Sequence, residues 1–263
     1  MTVTQPIRTQ DLRRTEAPRF DHLLHCVPDV AAAVRDYTAA GLPAHTNPVH
    51  EGFQNGAWRL DDRYVEILNV VDPAVYASSA FGRATAGWQP RIDALLAAGG
   101  GPLNFAVHVT DTGATAGRLR RAGHEVDVHD FSFQEGRVTF QEAILTGPHV
   151  PVWAPFFITV RADPALRREH EASGRIDRGA FDLDGFLVET PDPPGAATWL
   201  SALTGIPVDA AGTAVPLEGG RVCFTAGPAD RITALLLTGD RPPRTEIAGL
   251  RIQGVRDGDV LAR

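Results

Sequence analysis

The side chains with the clearest chemical potential are a histidine and a glutamate, each in a short stretch that alternates like a β-strand. In "DHLLHCV", alternation separates His22 from the apolar positions that would face a helix, and in "RYVEILNV" it does the same for Glu66. A glutamate in an apolar concavity can act as a general base, because burial raises the pKa of a carboxyl group. His22 would then be the acid or the orienting partner, and we predict these two residues as the catalytic pair.

Strand alternation adds further side chains to the same cleft. The stretches "NFAVHV" and "FFITV" each point one set of residues to the side of His22 and Glu66, and the connecting strands could contribute two more. A tryptophan in "PVWAPFF" could stack on an aromatic ligand at the cleft mouth. A few convergent polar groups in an apolar concavity are what a small-molecule site requires. The predicted substrate-binding residues are His108, Asn104, Thr159, His50, Asn55, Phe157 and Trp153.

Two alternatives to acid–base chemistry stay open from the residues alone. His22, Glu66 and His108 could supply two nitrogens and one oxygen, which is the minimum of three protein ligands for a catalytic metal. Alternatively, His22 only satisfies a buried hydrogen bond and Glu66 only pairs with an arginine. In that case the cleft binds a ligand without changing it.

A repeat of about 80 residues positions these side chains. Asp29, Asp111 and Asp192 stand 82 and 81 residues apart (111 − 29 and 192 − 111), and each follows a strand-like run. Each aspartate can cap the alanine-rich segment that comes next. These segments end at Gly41, Gly123 and Gly205, where a left-handed residue is expected to close a helix. About three strand-like runs follow each helix.

The repeat predicts an α+β fold of tandem βαβββ modules that form a curved mixed sheet around a cleft. Residues 20–161 would hold two paired modules, at 20–72 and 103–161, with an extra helix in the segment between them. Residues 180–256 would form a third, degenerate βαβββ-like module that covers an open sheet or builds an interface. Residues 1–19 are polar and arginine-rich, so we expect a flexible or loosely docked arm.

Four motifs give the paired modules a family resemblance: "FDHLLHCVPDV", "HEGFQNGAWRL", "RYVEILNV" and "APFFITV". With them the chain resembles the vicinal-oxygen-chelate superfamily, which includes glyoxalases, bleomycin-resistance proteins and extradiol dioxygenases, and more closely its glyoxalase-like branch. The resemblance covers residues 20–161 well and the third copy more weakly. It implies the fold more specifically than the chemistry.

The resemblance also implies where a metal would bind. In that superfamily the metal, when present, is held by a histidine on the first strand and a glutamate on the fourth strand of each paired module. The first copy supplies His22 and Glu66, whereas alignment on the aspartates places Asn104, and Thr159 or its neighbour in "FFITV", at the matching positions of the second copy. Two of four ligands are therefore missing, so no cofactor is expected, although a divalent metal held by His22 and Glu66 stays possible.

The resemblance leaves two functions to weigh. The first is an enzyme of the glyoxalase-like type, a lyase or isomerase that acts on an oxygenated metabolite through an enediolate-like anion. The second is a non-catalytic protein that sequesters a hydrophobic natural product or drug, as the resistance branch of the superfamily does. Turnover that depends on Glu66 would separate the two.

Composition excludes several other classes. The chain has 263 residues and a net charge of −7, which argues against a nucleic-acid partner because such partners are bound by clustered positive charge. All 25 basic residues are arginine, so a lysine Schiff base is excluded. No apolar run approaches the roughly 20 residues of a membrane helix, and no signal-peptide segment is evident. We expect a cytoplasmic protein with a small-molecule ligand and no membrane partner; a homodimer is possible.

Overall fold

The computed structural model describes residues 9–255, which form two mixed β-sheets with helices packed between and beside them. The elements of the larger sheet follow in chain order: α1 (Thr9–Thr15), β1 (Arg19–Cys26), α2 (Val30–Ala39), β2 (Ala44–Thr46), β3 (Phe53–Arg59), β4 (Tyr64–Val70), α3 (Pro73–Ser78), α4 (Ala80–Ala84), α5 (Gln89–Ala97), β5 (Gly101–His108), α6 (Thr112–Arg121), β6 (Glu125–Phe133), β7 (Val138–Thr146) and β8 (Phe156–Ala162). The elements of the remaining chain are α7 (Pro164–Ala172), β9 (Asp182–Thr190), α8 (Pro193–Thr204), β10 (Ala214–Val215), β11 (Arg221–Ala226), β12 (Arg231–Thr238), β13 (Thr245–Ile247) and β14 (Leu250–Gly254).

The larger sheet consists of two βαβββ modules joined through their first strands. Its strand order is β2-β3-β4-β1-β5-β8-β7-β6. In each module the first strand is parallel to the last, β1 to β4 and β5 to β8, and β1 is antiparallel to β5. The expected α+β fold of tandem modules is confirmed.

Side-chain caps begin the repeated helices. Asp29 accepts a hydrogen bond from the backbone N–H of Ala32 at 2.9 Å, and Asp111 does the same for Ala114 at 2.9 Å. These contacts satisfy N–H groups that have no partner within a helix. The glycines that follow the helices have positive φ angles, for example +82° at Gly41, a conformation that costs glycine little.

The larger sheet curls so that its two edge regions meet. The ring of Phe81, in α4, lies 5.7 Å from that of Phe53 in β3 and 5.4 Å from that of Phe131 in β6. In the loop between β2 and β3, the ring of His50 lies 5.3 Å from that of Phe133 at the end of β6. Because β3 and β6 lie near opposite ends of the strand order, these contacts close the sheet around a concave inner face.

The convex face of the larger sheet carries the main core. Leu23, Val65 and Phe105 are fully buried there, together with residues of α2, α6 and α8. The smaller sheet packs on the same face, where the ring of Phe186 in β9 lies 4.7 Å from that of Phe105. The core therefore lies between the two sheets and leaves the concave face of the larger sheet open.

The smaller sheet repeats the plan of the larger one in reduced form. Its order is β10-β11-β9-β12-β14-β13, with β9 parallel to β11 and antiparallel to β12, and with β12 parallel to β14. Strand β12 has the place in this sheet that β5 has in the larger one, as the first strand of a further unit without a helix.

Residues 1–19 were expected to form a flexible or loosely docked arm; the structure describes this segment from residue 9 onward, and residues 1–8 lie outside the described part. It contains α1, after which Glu16 is buried against α6. Arg118 donates from Nε to Glu16 Oε1 at 2.7 Å and from Nη2 to Glu16 Oε2 at 2.8 Å and to the carbonyl of Leu203 at 2.8 Å. The Thr115 hydroxyl donates to Glu16 Oε2 at 2.8 Å, so this cluster links the N-terminal segment, α6 and α8.

The connection between the two modules contains several short helices where one extra helix was expected. Helices α3, α4 and α5 fill residues 73–97, and α5 packs against β5 and β1. Across residues 9–255, every helix is too short or too polar to span a bilayer.

We predict that Glu16→Gln strongly destabilises the fold. The substitution leaves the buried Arg118 guanidinium without its charged partner, which costs about 3–5 kcal/mol in comparable buried pairs. Urea denaturation would measure this loss in the free energy of unfolding. Glu171→Gln is the control, because Glu171 pairs with Arg167 on the exposed surface and such pairs contribute about 1 kcal/mol or less. Equal effects of the two substitutions would contradict the prediction.

Candidate active site

The concave face of the larger sheet encloses a cavity of about 970 Å³. Its walls come from β1, β3 and β4 of one module and from β7 and β8 of the other, and α7 with the residues after it borders the mouth. Five phenylalanines contribute to the apolar part of the walls: Phe53, Phe81, Phe133, Phe140 and Phe156.

A row of stacked side chains crosses the floor of this cavity. The Cα partners Arg59, Tyr64 and His22 stand side by side on β3, β4 and β1. The Arg59 guanidinium lies 4.1 Å from the centre of the Tyr64 ring, and the Tyr64 and His22 rings stack at 4.4 Å with an angle of 14°. On the far side, the edge of Phe156 faces His22 at 5.5 Å. The row fixes the plane of the His22 ring.

Two carboxylates stand at the two nitrogens of His22. Its Nδ1 donates a hydrogen bond to Asp21 Oδ1 at 2.6 Å, and its Nε2 lies 3.9 Å from Glu66 Oε2. His22 is 3% exposed and Asp21 is 7% exposed, so the pair is screened little by solvent. Asp21 therefore orients the imidazole, and Nε2 is left to face Glu66 and the cavity.

An amide holds the Glu66 carboxylate in place. Asn55 donates from Nδ2 to Glu66 Oε1 at 2.6 Å, and Asn47 donates from Nδ2 to Asn55 Oδ1 at 3.0 Å. This chain of amides leaves Glu66 Oε2 on the His22 side. The sequence-based prediction placed His22, Glu66 and Asn55 around one cleft, and all three line the cavity.

Glu142 is a functional candidate that the predicted set of site residues did not include, because the sequence favoured a solvated face or a salt bridge for it. It lies on β7, is 3% exposed and lines the cavity, and its Oε2 is buried without a hydrogen-bond partner among the described residues. Burial, together with the nearby charges of Glu66 and Asp21, raises the pKa of Glu142 from 4.5 to about 8. Glu142 is therefore mostly protonated at neutral pH. Alternation in "VTFQEAIL" is consistent with this position, because Phe140 and Glu142 share a face and both line the cavity.

Strand pairing shows which residues of the second module match the first. Leu24 and Ala106 are equivalent by the 82-residue spacing; Leu24 pairs with Glu66, and Ala106 pairs with Phe156. Phe156 thus has the position of Glu66 in the second module. The assignment of that position to Thr159 is corrected.

The same comparison places Glu142 opposite an asparagine of the first module. Asn55 pairs with Leu68 on β4, and Glu142 pairs with Ile158 on β8, the residue that corresponds to Leu68. Glu142 is therefore the counterpart of Asn55. The two modules carry their carboxyl groups at different positions, so their inner walls differ in chemistry.

Three other predicted residues lie at or near the cavity. His108 lines it and is half-buried, and desolvation and the charge of Arg19 lower its pKa. His50 lies at the exposed rim against Phe133. Asn104 is buried at a bulge in the β1–β5 pairing and does not line the cavity, and its Oδ1 has no partner within the described chain.

Phe157 and Thr159 do not face the cavity. In β8 the inward positions are even-numbered, so Phe157 packs in the main core. The Thr159 hydroxyl donates to the carbonyl of Val109 at 2.7 Å and lies 2.8 Å from that of Thr112. The prediction that Phe157 and Thr159 face the cavity is wrong, because the even-numbered residues of β8 face it instead.

Trp153 does not lie at the cleft mouth. It is 1% exposed and packs between the sheets, where its ring lies 5.1 Å from that of Phe224 and 5.4 Å from that of Trp199. Its Nε1 donates to Asp230 Oδ1 at 3.4 Å. The prediction that it stacks on a ligand is therefore corrected.

The side chains present do not complete the metal site that the family resemblance implied. Of the four expected positions, His22 and Glu66 carry ligands, whereas Asn104 and Phe156 stand at the other two. Within residues 9–255, no cluster of three or more His, Cys, Asp or Glu side chains has metal-binding geometry. Catalytic metal sites normally have three protein ligands.

Comparison with known families and structures identifies this architecture. A model of a family described as a glyoxalase-like domain matches residues 20–204, which is more than half of the chain. Among curated proteins, no match was found.

Among solved structures, a hypothetical protein from Staphylococcus aureus has 16% sequence identity and a TM-score of 0.70, with 90% of this chain and 100% of that chain covered. A Streptomyces coelicolor methylmalonyl-CoA epimerase variant has 20% identity and a TM-score of 0.37 over 56% of this chain and 95% of that one. A variant of 4-hydroxymandelate synthase, also from Streptomyces coelicolor, has 12% identity and a TM-score of 0.46 over 83% and 70%. The first of these supports the fold.

We predict that the purified protein carries no stoichiometric, tightly bound metal. His22 and Glu66 alone provide too few ligands and too little charge for strong divalent binding, even with His108 or water as a third partner. Elemental analysis of protein prepared without chelator would test this. About one equivalent of zinc, iron, nickel or manganese that disappears in His22→Ala would contradict it.

We also predict a pH-dependent stability that originates from Glu142. Its pKa is raised in the folded state, so the folded protein binds more protons than the unfolded chain between pH 4.5 and about 8. The free energy of unfolding should therefore fall as pH rises through this window, by up to about 1.4 kcal/mol per pH unit from this group.

Urea denaturation of the wild type and of Glu142→Gln at several pH values would measure that slope. The variant, which is neutral at this position at every pH, should show a flatter dependence. The exposed Glu246 provides the control, because Glu246→Gln should leave the slope unchanged. Equal slopes for wild type and Glu142→Gln would show that Glu142 does not bind the additional proton.

Proposed function

The chain belongs to the glyoxalase-like domain family, and from this premise we propose that it is an enzyme that moves protons on a small oxygenated metabolite. The family belongs to a superfamily whose members include enzymes. The proposed chemistry is that of a lyase or isomerase in which the intermediate is an enediolate-like anion. Glu66 is the proposed base, and Glu142 is the proposed acid.

The observation that carries this proposal is the difference between the two carboxyl groups of the cavity. Glu66 accepts a hydrogen bond from Asn55 and stands beside His22, in a polar setting. Glu142 is buried on β7 without a hydrogen-bond partner for its Oε2 among the described residues, and its raised pKa holds it neutral at pH 7. Environments that separate the protonation of two nearby acids are typical of enzymes that use one as base and the other as acid.

The two groups can act on opposite sides of one substrate. Glu66 lies on β4 and Glu142 on β7, and the curled sheet places these strands on facing walls of the cavity. The Glu66 carboxylate would take a proton from a carbon next to a carbonyl, and the C–H electron pair would pass to the carbonyl oxygen. The protonated Glu142 can donate a hydrogen bond, and then its proton, to that oxygen.

His22 supports the base in this scheme. Its hydrogen bond to Asp21 and its stacking on Tyr64 hold Nε2 on the Glu66 side of the cavity. The imidazole can thus orient the Glu66 carboxylate. It can also transfer the proton that Glu66 has accepted to the substrate. The substrate can be returned with the proton on another atom, which is isomerisation, or can lose a leaving group, which is a lyase reaction.

One observation supports the competing role of a binding protein. The phenylalanines of the cavity wall offer a large apolar surface that would hold a hydrophobic compound without reaction. A binding role does not require the protonated carboxyl group of Glu142, whose Oε2 has no hydrogen-bond partner among the described residues. Burying such a group is costly, and this cost favours a chemical role for it. We therefore favour the enzyme.

The proposal predicts that Glu66→Gln and His22→Ala reduce turnover without loss of ligand affinity. Hydrogen–deuterium exchange at the α-carbon of a panel of small 2-hydroxy ketones and 2-oxo acids, followed by NMR in D₂O, measures proton abstraction directly. For a compound that exchanges, Glu66→Gln should lower the rate by about 10²-fold or more, as expected for loss of a general base.

Glu125→Gln is the matched control, because Glu125 is exposed at the start of β6, outside the cavity. Exchange that persists in Glu66→Gln would rule out Glu66 as the base. If no compound in the panel exchanges while affinity depends on the phenylalanine wall, the binding role is the correct one.

A further inference from the structure

Two arginines at one end of the cavity lack the carboxylate partners that the other cavity-lining arginines have. Arg19, Arg137 and Arg167 each form an ion pair with a carboxylate. Arg59 and Arg175 also line the cavity, but no carboxylate oxygen in the described part of the chain lies within 4.0 Å of either guanidinium. These two cations are half-buried and uncompensated.

Protein contacts fix both guanidinium groups without neutralising them. Arg59 lies over the Tyr64 ring at 4.1 Å, and Arg175 donates from Nη1 to the side-chain oxygen of Asn47 at 2.6 Å. The backbone N–H of Asp177 donates to the carbonyl of Arg59 at 2.9 Å, which holds the Arg175 segment against the end of β3. The side chains therefore converge from two elements and keep hydrogen-bond donors available.

The positive charges of the two arginines act on the pKa values of two neighbouring histidines. Desolvation lowers the pKa of His45 to about 4, and the charges of Arg175 and Arg59 act in the same direction. His170, in α7, has its pKa lowered by desolvation and by the same two arginines. Both imidazoles line the cavity and are uncharged at neutral pH, so they can donate or accept hydrogen bonds beside the arginines.

Strand register gives the distance of this cluster from Glu66. His45 on β2 pairs with Ala57 on β3, and Ala57 pairs with Glu66 on β4, so the three share one row and one face. Two strand spacings separate His45 from Glu66, which is roughly 10 Å. Ala57 lines the floor between them and, with its small side chain, leaves the path open.

We propose that Arg59, Arg175, His45 and His170 form a subsite for an anionic oxygen-bearing group, a carboxylate or a phosphate, at one end of the substrate. The proposal rests on the proposed function, because it assigns the other end of the substrate to Glu66 and Glu142. The substrate class is then a small acid whose reacting carbon lies roughly 10 Å from its anionic group.

The chemistry of the cluster favours an anion over other ligands. Guanidinium groups bind carboxylates and phosphates through paired N–H donors, and half-buried sites strengthen that attraction. A cationic ligand would meet uncompensated positive charge. A neutral ligand would leave both arginines without a charged partner, as they are in the structure.

Binding of three matched compounds tests the subsite. Phenylacetate and phenyl phosphate carry the two candidate anions on a ring that fits the phenylalanine wall, and phenylacetamide is the neutral analogue. Isothermal titration at one low salt concentration should give dissociation constants for the anions at least about tenfold below that of the amide. The tighter of the two anions identifies the group that the subsite prefers.

Arg59→Gln and Arg175→Gln should each weaken anion binding about tenfold or more and leave amide binding unchanged. Arg121→Gln is the control, since Arg121 is exposed on α6 and outside the cavity. Arg175 follows α7 in an irregular segment, so its replacement tests the subsite even if Arg59→Gln impairs folding. Equal binding of amide and anions, or unchanged anion affinity in Arg175→Gln, would overturn the proposal.

Measurements on the Glu66→Gln variant distinguish a failure of the anion subsite from a failure of the proposed function. Anion affinity that is retained in Glu66→Gln, with no α-carbon exchange by the wild type, would leave the subsite in place and refute the enzyme. Exchange that depends on Glu66, with no preference for anions, would refute the subsite and leave the enzyme in place.

Discussion

The antiparallel pairing of β1 with β5 is the constraint on which the site depends. It joins two modules through their first strands, so that one continuous sheet carries the inner faces of both. Because side chains alternate along a strand, this register decides which residues meet inside. His22 and Ala106 are partners on β1 and β5, which puts the histidine at the centre of the sheet, between the walls that carry Glu66 and Glu142.

The three carboxyl groups of the cavity differ in their surroundings. Asp21, Glu66 and Glu142 surround one cavity, and charge on all three would be costly in a space with limited solvent. Asp21 is held by His22 and Glu66 by Asn55, so the proton resides on Glu142, which lacks such a partner. Of the two arginines that lack a carboxylate partner among the described residues, Arg59 lies against the Tyr64 ring, which stacks on His22, and Arg175 approaches from the segment after α7. Cationic groups therefore enter the cavity next to the row of stacked rings.

Local patterns in the sequence were sufficient for the repeated frame. The aspartate caps, the closing glycines and the alternation around His22 and Glu66 depend on neighbours within a few residues, and each is found as expected. The last strand of the second module could not be aligned with that of the first by counting residues along the chain. Its β6 and β7 have nine residues each, whereas β2 and β3 have three and seven, so its last strand is displaced along the chain. For that reason Thr159 was placed inward and Phe156 was not considered. For Glu142 a solvated face or a salt bridge was favoured, because the burial of a carboxyl group depends on the curl of the whole sheet, which no local pattern records.

Carbon-13 NMR of the glutamate side-chain carboxyl groups measures the protonation of Glu142 most directly. Spectra of labelled protein between pH 5 and pH 10, with Glu142→Gln to assign the resonance, would follow this one group. The account predicts a resonance that is absent from the variant, has the shift of a protonated acid at pH 7 and titrates with a midpoint near 8. A Glu142 resonance that is already that of the carboxylate at pH 6 would contradict the account, because the cavity would then contain no carboxylic acid to act as proton donor.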